Sequence, residues 1–443
     1  MKSPSRKTIT ATIFFVFIFI FFGALAWYFG GAFFGQNTDT EFVDTDKSRG
    51  FTFFPFGRGG GEPTIVVPNV EDPNEVDNEN PNTGGEVVVA PQIDRLRLIA
   101  EVPVAGGYVY RRSVENTSLF DTTPQTEVAM RYVEIESGHV YETKEDTAVT
   151  TRITNTTIPR IAEADFIDGD SLAVRYIDPT SQALKTFIAK ISEKSTNDKE
   201  DDAQRLQKLN GVFLPDDISD VTVNDASQIL YTQRTSDGLI AVVTDTFGQN
   251  RKQIFSSPLR EWKPDWQRRT NTITMTTYPS AISYGLSQIL DEATQKLTPF
   301  VSGLQGLDVL MSPDGNTTLV SYKTGNTISL FIRQADGDLV DTGLDTYAEK
   351  CVWSGDSVLV YCAEPINTIS DNAPDTWYQG LESYSDDVWR INTSDVTKRI
   401  LFSPFDEGFY SLDIIDLQIS ADERYLSFRD KENSYFWTYQ LEL

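Results

Sequence analysis

Few residues in this chain could form a catalytic or metal site. The sequence has one histidine, His139, and two cysteines, Cys351 and Cys362. One histidine cannot form a multi-histidine metal site, and two cysteines on one hairpin do not complete a zinc site. A serine-hydrolase triad would have to use His139, but the chain has no Gly-x-Ser-x-Gly elbow, and His139 follows a glycine typical of a hairpin. We interpret His139 as a turn residue and not as a catalytic base.

Other signatures of chemistry are weak. Gly59-Gly60-Gly61 lacks the Lys, the Ser or Thr and the helix of a phosphate-binding loop. Asp168-Gly169-Asp170 and Asp336-Gly337-Asp338 resemble pieces of calcium loops without the terminal Glu of an EF-hand. Hairpin turns are the preferred interpretation of both, with a calcium site as the alternative. A carboxylate pair for glycoside hydrolysis is defined by its three-dimensional separation, which a sequence does not give. We therefore expect no enzymatic activity, metal or cofactor.

The best candidate for a binding site lies in Pro374–Leu381 and Tyr384–Arg390, where Trp and Tyr stand beside acidic residues. Aromatic side chains with a polar group anchor many contacts to proteins and sugars. We hypothesise that four residues bind a partner or ligand: Asp375, Trp377, Tyr378 and Tyr384. Packing of this segment against its own structural unit is the alternative. Trp389 is expected to lie on a strand and pack in the core.

The elements that would position these residues are visible as a repeat along the C-terminal part of the chain. In Met311–Asn316 a hydrophobic residue runs into a turn of Ser, Pro, Asp and Gly, and the strand-like run Thr318–Tyr322 follows. Asp and Gly tolerate the left-handed backbone of such hairpin turns. Degraded copies of the turn are Phe166–Asp170, Val223–Ser227, Val352–Asp356 and Ile419–Glu423. The equivalent residues Ser312 and Ser354 are 42 positions apart, the length of one four-stranded propeller blade.

We therefore predict an all-β fold, a β-propeller of seven blades, with six or eight as alternatives because the third and fourth units are degraded. The innermost strands should begin near Tyr108, Asp165, Val221, Asp265, Asp308, Cys351 and Asp416. The last unit has room for only three strands, so Arg95–Ile99 is expected to supply the fourth and close the ring. Trp262 and Trp266 should pack between blades. Lys199–Leu209 is either a short surface helix or a charged loop.

The N-terminal residues predict a membrane anchor. Residues 1–8 are basic, and residues 9–29 form an apolar run without charge that is long enough to cross a bilayer as a helix. Because basic residues precede this run and acidic residues follow it, residues 1–8 are expected in the cytoplasm and the propeller outside, in the periplasm or extracellular space. A signal peptide cleaved after Ala26 is the alternative to a retained single-pass anchor.

Residues 36–91 have the composition of a flexible linker, rich in Gly, Pro, Asn and acidic residues, and the propeller is assigned to residues 94–443. The net charge of −27 repels nucleic acid, which is not expected as a partner. Cys351 and Cys362 flank one turn on adjacent strands. In an oxidising compartment they are expected to form a disulfide, with two buried thiols as the alternative.

The turns Ser312-Pro313-Asp314-Gly315 and Trp353-Ser354-Gly355-Asp356 resemble those of TolB-like and WD-repeat-like propellers. The whole chain is similar to a family of uncharacterised membrane-anchored propeller proteins from bacteria with very reduced genomes. The segments that carry this likeness are Arg131–Glu134 with Gly138–Thr143, Phe255–Trp262 and Trp377–Gly380. The resemblance implies a fold and a place outside the membrane, and it brings no activity or catalytic residues. The Gly-His and Trp-Asp dipeptides of WD repeats do not recur, so the TolB-like side is nearer.

The sequence therefore favours a membrane-tethered, extracytoplasmic β-propeller that acts as a protein–protein interaction or scaffold module of the cell envelope. Its expected contacts are an envelope or surface protein and, through the N-terminal helix, the membrane. The alternative is an extracytoplasmic propeller enzyme or glycan-binding protein that uses an acidic central channel.

Overall fold

The computed structural model describes residues 95–442, apart from 115–124, 146–148, 193–205, 225–227 and 267–269. These residues form seven antiparallel four-stranded sheets, the blades of a β-propeller, so the all-β fold and the count of seven are confirmed. The inner strands begin within four residues of the predicted positions. No helix of the described ranges is long and apolar enough to cross a membrane, and the predicted anchor and linker lie outside those ranges.

The strands follow the chain from blade to blade. Strand β1 (Leu96–Ala100) comes first and belongs to the last blade. Blade 1 contains β2 (Val104–Val114), β3 (Gln125–Glu134), β4 (Val140–Lys144) and β5 (Thr150–Arg152). Blade 2 contains β6 (Ile161–Phe166), β7 (Ser171–Ile177), β8 (Leu184–Ile191) and β9 (Leu209–Phe213). Blade 3 contains β10 (Ile218–Val223), β11 (Gln228–Thr235), β12 (Gly238–Asp245) and β13 (Lys252–Ser257).

The second half of the ring repeats this order. Blade 4 contains β14 (Trp262–Trp266), β15 (Thr272–Thr277), β16 (Tyr284–Asp291) and β17 (Leu297–Gln305). Blade 5 contains β18 (Asp308–Met311), β19 (Thr318–Thr324), β20 (Thr327–Arg333) and β21 (Leu339–Leu344). Blade 6 contains β22 (Cys351–Trp353), β23 (Leu359–Pro365), β24 (Asp386–Asn392) and β25 (Thr397–Phe402). Blade 7 contains β26 (Ile414–Ile419), β27 (Tyr425–Asp430), β28 (Phe436–Gln440) and β1. A 3₁₀ turn (Ala348–Lys350) precedes β22, and helix α1 (Asp375–Tyr378) lies between β23 and β24.

The antiparallel order places every loop on one of two faces of the ring. Each inner strand begins at the face that we call the top face, which carries the connections between blades and the loop from the second to the third strand of each blade. The remaining loops lie on the bottom face. The insertion of blade 6, residues 366–385, joins β23 to β24 and therefore lies on the top face. The top-face loops between β1 and β28 lie entirely within the described ranges.

Strand β1 is the outer strand of blade 7. It pairs antiparallel with β28, with Leu96 opposite Tyr439 and Leu98 opposite Trp437. Leu96 is buried and packs in a cluster with Phe428 and Trp437. The strand differs by one residue from the predicted Arg95–Ile99, and its neighbour in space is the last strand of the chain.

The bottom-face turns of blades 5, 6 and 7 share one hydrogen-bond pattern. The Ser312 hydroxyl donates to Asp314 (2.6 Å) and accepts from the amide of Thr317 (3.0 Å). The equivalent pairs are Ser354 with Asp356 at 2.5 Å and Ser420 with Asp422 at 2.7 Å. Gly315 completes its turn with φ of +76°, a conformation that favours glycine. These bonds are the physical reason for the Ser-x-Asp frame in the sequence.

Aromatic side chains pack in and between the blades as predicted. Trp262 and Trp266 are buried among apolar residues of blades 3 and 4, and the Trp262 ring meets Phe255 edge-on at 5.3 Å. Trp389 lies on β24 and packs against the core of blades 5 and 6. Cys351 and Cys362 are paired residues of β22 and β23 and are joined by a disulfide.

The segment Lys199–Leu209, predicted to be either a short surface helix or a charged loop, lies mostly outside the described residues. Residues 206–208 are not helical, and Leu209 begins β9, so the helix alternative is wrong in the part that the structure describes. Ile191 and Leu209 are opposite each other in the sheet, so the apolar end of the segment extends blade 2 instead of forming a helix turn.

Candidate binding face

Trp377 fixes the insertion of blade 6 to the top face. Its side chain is buried, and the indole nitrogen donates to Asp413 (2.9 Å). The ring stacks on Tyr347 (centroids 5.1 Å apart) and on Tyr384 (6.2 Å). The hydroxyls of Tyr347 and Tyr384 are 2.8 Å apart and hydrogen-bonded. Helix α1 is only one turn long, so these contacts, and not helix propensity, hold it in place.

A buried ion cluster lies beneath this aromatic stack. The ammonium of Lys350 is 2.6 Å from Asp413 and 2.7 Å from Asp386, and all three side chains are fully buried. Burial opposes the charge on Lys350, but the two carboxylates outweigh it and raise the pKa of this lysine. Burial would likewise raise the pKa of Asp413, but Lys350 and then Lys431 outweigh burial and lower it. Removing the charge of Lys350 would leave the buried carboxylate of Asp386 without its counterion.

The insertion also contacts blades other than its own. A carboxylate oxygen of Asp375 accepts a hydrogen bond of 2.5 Å from the amide of Ala281 in blade 4. In blade 7, Lys431 donates to the carbonyls of Trp377 (2.8 Å) and Glu382 (3.0 Å). The Tyr378 hydroxyl donates to Glu349, in the connection from blade 5 to blade 6. The insertion is therefore a brace across four blades.

The four residues predicted to bind a partner lie together, and the structure uses them to hold the insertion. Trp377 and Tyr384 are buried, and Asp375 and Tyr378 are half-buried. The alternative was packing of the segment against its own unit. Trp377 stacks both on Tyr384 of the same insertion and on Tyr347 of the connection between blades 5 and 6. A role of these residues in binding stays a prediction. The aromatic residues of this segment identified it in the sequence. Which of their side chains are buried depends on contacts with residues that are distant in sequence.

Exposed apolar side chains lie elsewhere on the top face. Ile282 and Tyr284, in the loop and strand next to Ala281, are 81% and 73% exposed. Leu381 in the insertion is 72% exposed. Because Ala281 contacts Asp375 in helix α1, and the amide of Leu381 bonds to the carbonyl of Thr376, these apolar groups lie on adjoining segments. Further exposed apolar residues of top-face loops are Val102, Leu259, Tyr278, Ile366, Phe405 and Tyr410.

Most top-face loops are acidic at their exposed positions, whereas residues 278–283, the loop of Ile282, contain no acidic residue. Eleven acidic residues are exposed there: Glu101, Glu136, Asp216, Asp217, Asp237, Glu261, Asp345, Asp371, Asp406, Glu407 and Glu432. The exposed basic residues of these loops are Arg160 and Arg260. The overall charge follows from the sequence, but the presence of apolar and acidic side chains on one face depends on the fold.

The central channel is lined by ionic groups from several inner strands. Glu163 pairs with Arg175 (2.5 Å), whose guanidinium also donates to backbone carbonyls of blade 3. Arg429 of blade 7 pairs with Asp416 and donates to the carbonyl of Val104 in blade 1 (2.9 Å). Each arginine thus joins its own blade to the next. The lining therefore contains arginines as well as the carboxylates expected for an acidic channel, the alternative site.

Several carboxylates from the inner strands lie close to one another in the channel. Burial, with repulsion from Glu163 and Asp416, raises the pKa of Asp165 well above its ordinary value. Burial and the same glutamate raise the pKa of Asp220 to about 7, although Arg175 opposes the shift. A cavity of about 150 Å³ lies beside Glu163, Asp165 and Asp416, between blades 7, 1 and 2. It could hold a few water molecules or a small ligand.

The remaining candidates from the sequence form no reactive set in the described residues. His139 lies in the turn after Gly138, and its ring nitrogen is 3.2 Å from the hydroxyl of Thr157. Burial, and then the charge of Arg152, lower the pKa of His139. No group of three histidine, cysteine or carboxylate side chains in the described ranges has the arrangement of a metal site. Asp168-Gly169-Asp170 and Asp336-Gly337-Asp338 are hairpin turns.

Comparison with known proteins shows similarity of architecture. No protein-family model and no curated protein sequence matches the chain. Among solved structures, TolB from Acinetobacter baumannii is 13% identical over 76% of this chain and 80% of its own, with a TM-score of 0.40. The WD40 domain of Toxoplasma gondii coronin is 13% identical over 78% and 82%, with a TM-score of 0.41. Oligogalacturonate lyase in complex with manganese is 9% identical over 77% and 99%, with a TM-score of 0.46. Similarities at this level carry no argument about function.

Proposed function

We propose that the chain is a membrane-tethered, extracytoplasmic interaction module that binds another protein of the cell envelope through its top face. The observation that carries this proposal is the set of large apolar side chains exposed on adjoining top-face loops, Ile282, Tyr284 and Leu381. Single exposed apolar residues are normal on a soluble domain, but a group of them on neighbouring loops is typical of a contact surface.

The fold supplies what such a surface needs. The loops with the exposed apolar groups are held by the buried stack around Trp377 and by the Asp375–Ala281 hydrogen bond, so the contact surface is ordered before a partner arrives. A preformed surface loses less conformational entropy on binding than a mobile one. The aromatic side chains exposed at Tyr284 and Tyr410 are of the type that dominates binding energy at protein interfaces.

The compartment belongs to the same proposal. Residues 9–29 are apolar enough to anchor the chain, and residues 36–91 would act as the tether. The Cys351–Cys362 disulfide supports an oxidising compartment, where such bonds persist. The likeness to membrane-anchored propeller proteins of bacteria with reduced genomes supports the same placement.

Site-specific photo-crosslinking in the full-length, membrane-bound protein tests this proposal. A benzophenone side chain at Ile282 should give discrete adducts of higher mass. Phe247 is the matched control, because it is 69% exposed on the bottom face, in the loop between β12 and β13. Adducts from both positions, or from neither, would argue against a partner on the top face.

The second candidate function is binding or hydrolysis of a glycan in the channel, and the crowded carboxylates Glu163, Asp165 and Asp416 favour it. Pairs of carboxyl groups are the catalytic set of most glycoside hydrolases. Purified protein would be screened against a glycan array and chromogenic glycosides, with Asp165→Asn as the matched variant. Turnover or binding that this variant abolishes would support the channel; the interaction module predicts neither.

A further inference from the structure

We propose that the top face recognises a partner segment in which apolar side chains are flanked by Lys or Arg. This inference rests on the proposed function and adds the chemistry of the partner. It follows from the composition of the top-face loops, which expose eleven acidic and two basic residues as well as the apolar groups. Two of the acidic residues, Asp216 and Glu261, pair with Lys185 and Arg234 of neighbouring strands. The partner is a protein segment with complementary charge.

Exposed apolar and acidic side chains are adjacent in sequence in two of the loops. Phe405, 69% exposed, is followed directly by Asp406 and Glu407, and Val102 is preceded by Glu101. In the insertion, Asp371 and Leu381 are both exposed. A segment that placed its apolar groups on this face would therefore bring its neighbouring residues close to carboxylates.

The exposed apolar groups and the exposed acidic residues of the top face contribute differently to binding. Apolar contact supplies most of the affinity of an interface, whereas exposed ion pairs are each weak. A face with one sign of charge raises the association rate of an oppositely charged partner and rejects a like-charged one. The acidic loops therefore select basic partners, and the apolar groups Ile282, Tyr284 and Leu381 retain them.

The same charge argues against other occupants of this face. A second copy of the chain would bring its own acidic top face, so symmetric dimerisation through these loops places like charges opposite each other. Nucleic acid and anionic lipid are repelled for the same reason. The apolar groups and the acidic residues of the top face both favour a protein segment that is apolar and basic.

Synthetic peptides of defined composition test the inference with the full-length protein in detergent. Three sets share the same apolar residues and differ in their flanks, which are Lys, Ser or Glu. Fluorescence anisotropy should show the Lys set binding roughly tenfold more tightly than the Ser set, with no binding of the Glu set. The preference should shrink at high salt, because exposed charges are screened.

Paired variants separate recognition by the top face from general attraction to an acidic protein. Asp371→Asn with Asp406→Asn should weaken the preference for Lys flanks, whereas Asp338→Asn, in a bottom-face turn, should leave it unchanged. Ile282→Ser should reduce binding of the Lys and Ser sets alike, and Phe247→Ser should not. If the variant with both Asp371→Asn and Asp406→Asn keeps the full preference for Lys flanks, the inference is overturned.

The outcomes also separate this inference from the proposed function. If Ile282→Ser abolishes binding while the three flanks bind equally, the top face is a contact surface and the charge complementarity is refuted. If no peptide set binds and crosslinks from Ile282 are also absent, the proposed function itself is refuted.

Discussion

Trp377 and Asp413 are 36 residues apart in the chain and share a buried hydrogen bond of 2.9 Å between the indole nitrogen and a carboxylate oxygen. Asp413 also accepts from Lys350, Ser383 and the amide of Tyr384. The carboxylate of Asp413, in the connection before β26, thus bonds to the insertion of blade 6 and to the connection before β22. The arrangement makes Trp377 a structural residue of the top face.

Trp377→Phe should lower the free energy of unfolding by about 1–3 kcal/mol, because the variant keeps an aromatic ring but removes one of the buried hydrogen-bond donors to Asp413. Urea unfolding of the purified protein, followed by circular dichroism, measures this loss. Leu381→Ala is the control in the same insertion, since Leu381 is exposed and its truncation should change stability little. Equal stability of the two variants would contradict the structural role of Trp377.

Asp430 should make the protein less stable as the pH rises from 5 to 7.5. Burial raises the pKa of its carboxyl to about 7, from 3.8 in the unfolded chain. Between these two values the folded state keeps a proton that the unfolded chain has released. The stability from this proton is full below about pH 4 and is lost as the pH rises through 7, on the order of 2–4 kcal/mol.

Asp430→Asn tests this pH dependence, because the amide is uncharged at every pH in the range. The variant should show a smaller change of stability between pH 5 and 7.5 than the natural protein. A residual slope of the same sign is expected from Asp220, whose pKa is also raised to about 7. Identical slopes would show that Asp430 does not hold the proton. Aspartates with lowered pKa, such as Asp178, act only below about pH 4 and leave this window unaffected.

Leu96→Ala should destabilise the ring by about 2–5 kcal/mol, because it leaves a cavity where β1 packs on the end of the chain. A second consequence should be less cooperative unfolding, since a loosened β1 exposes the edge of β28. Leu297→Ala, in the outer strand of blade 4, is the matched control because Leu297 is 40% exposed. Calorimetry of the two variants would reject closure by β1 if their transitions coincide.

External protease should remove the linker and leave the propeller. Residues 1–8, which include Lys2, Arg6 and Lys7, are expected inside the cell and residues 94–443 outside. Protease added to spheroplasts should cut between Gly57 and Pro91 and release a compact fragment of about 350 residues. Resistance of the whole chain in intact spheroplasts, with cleavage after detergent lysis, would place the propeller on the other side of the membrane.

The fold was predictable where local chemistry repeats. Ser312, Ser354 and Ser420 each bond to an Asp two residues later, and this local pattern marks a hairpin at a fixed place in its blade. Such bonds depend on neighbours in sequence, so the sequence reveals them. The spacing of these turns then gives the length of a blade and the number of strands.

The candidate site was predictable only in outline. The cluster of Lys350, Asp386 and Asp413 joins residues from three separate segments, and no local pattern signals that they meet. The hypothesis about Trp377 located the right insertion, but aromatic type does not distinguish a ring that faces solvent from one that stacks on Tyr347. Exposure of Ile282 likewise depends on how blade 4 meets the insertion.

Each blade of a ring normally touches only its two neighbours, so a loosened boundary can spread from blade to blade. The insertion of blade 6 breaks this rule, since Asp375 contacts blade 4, two blades away. The same insertion accepts a hydrogen bond from Lys431 of blade 7, its neighbour. It acts as a chord across part of the circle. Blades 4 to 7 are therefore joined by the hydrogen bonds of the insertion as well as by contacts between neighbouring blades. None of the insertion's contacts named here involves blades 1 to 3. Slow amide exchange should follow this division, with the earliest opening events on the side of the ring that the chord does not span.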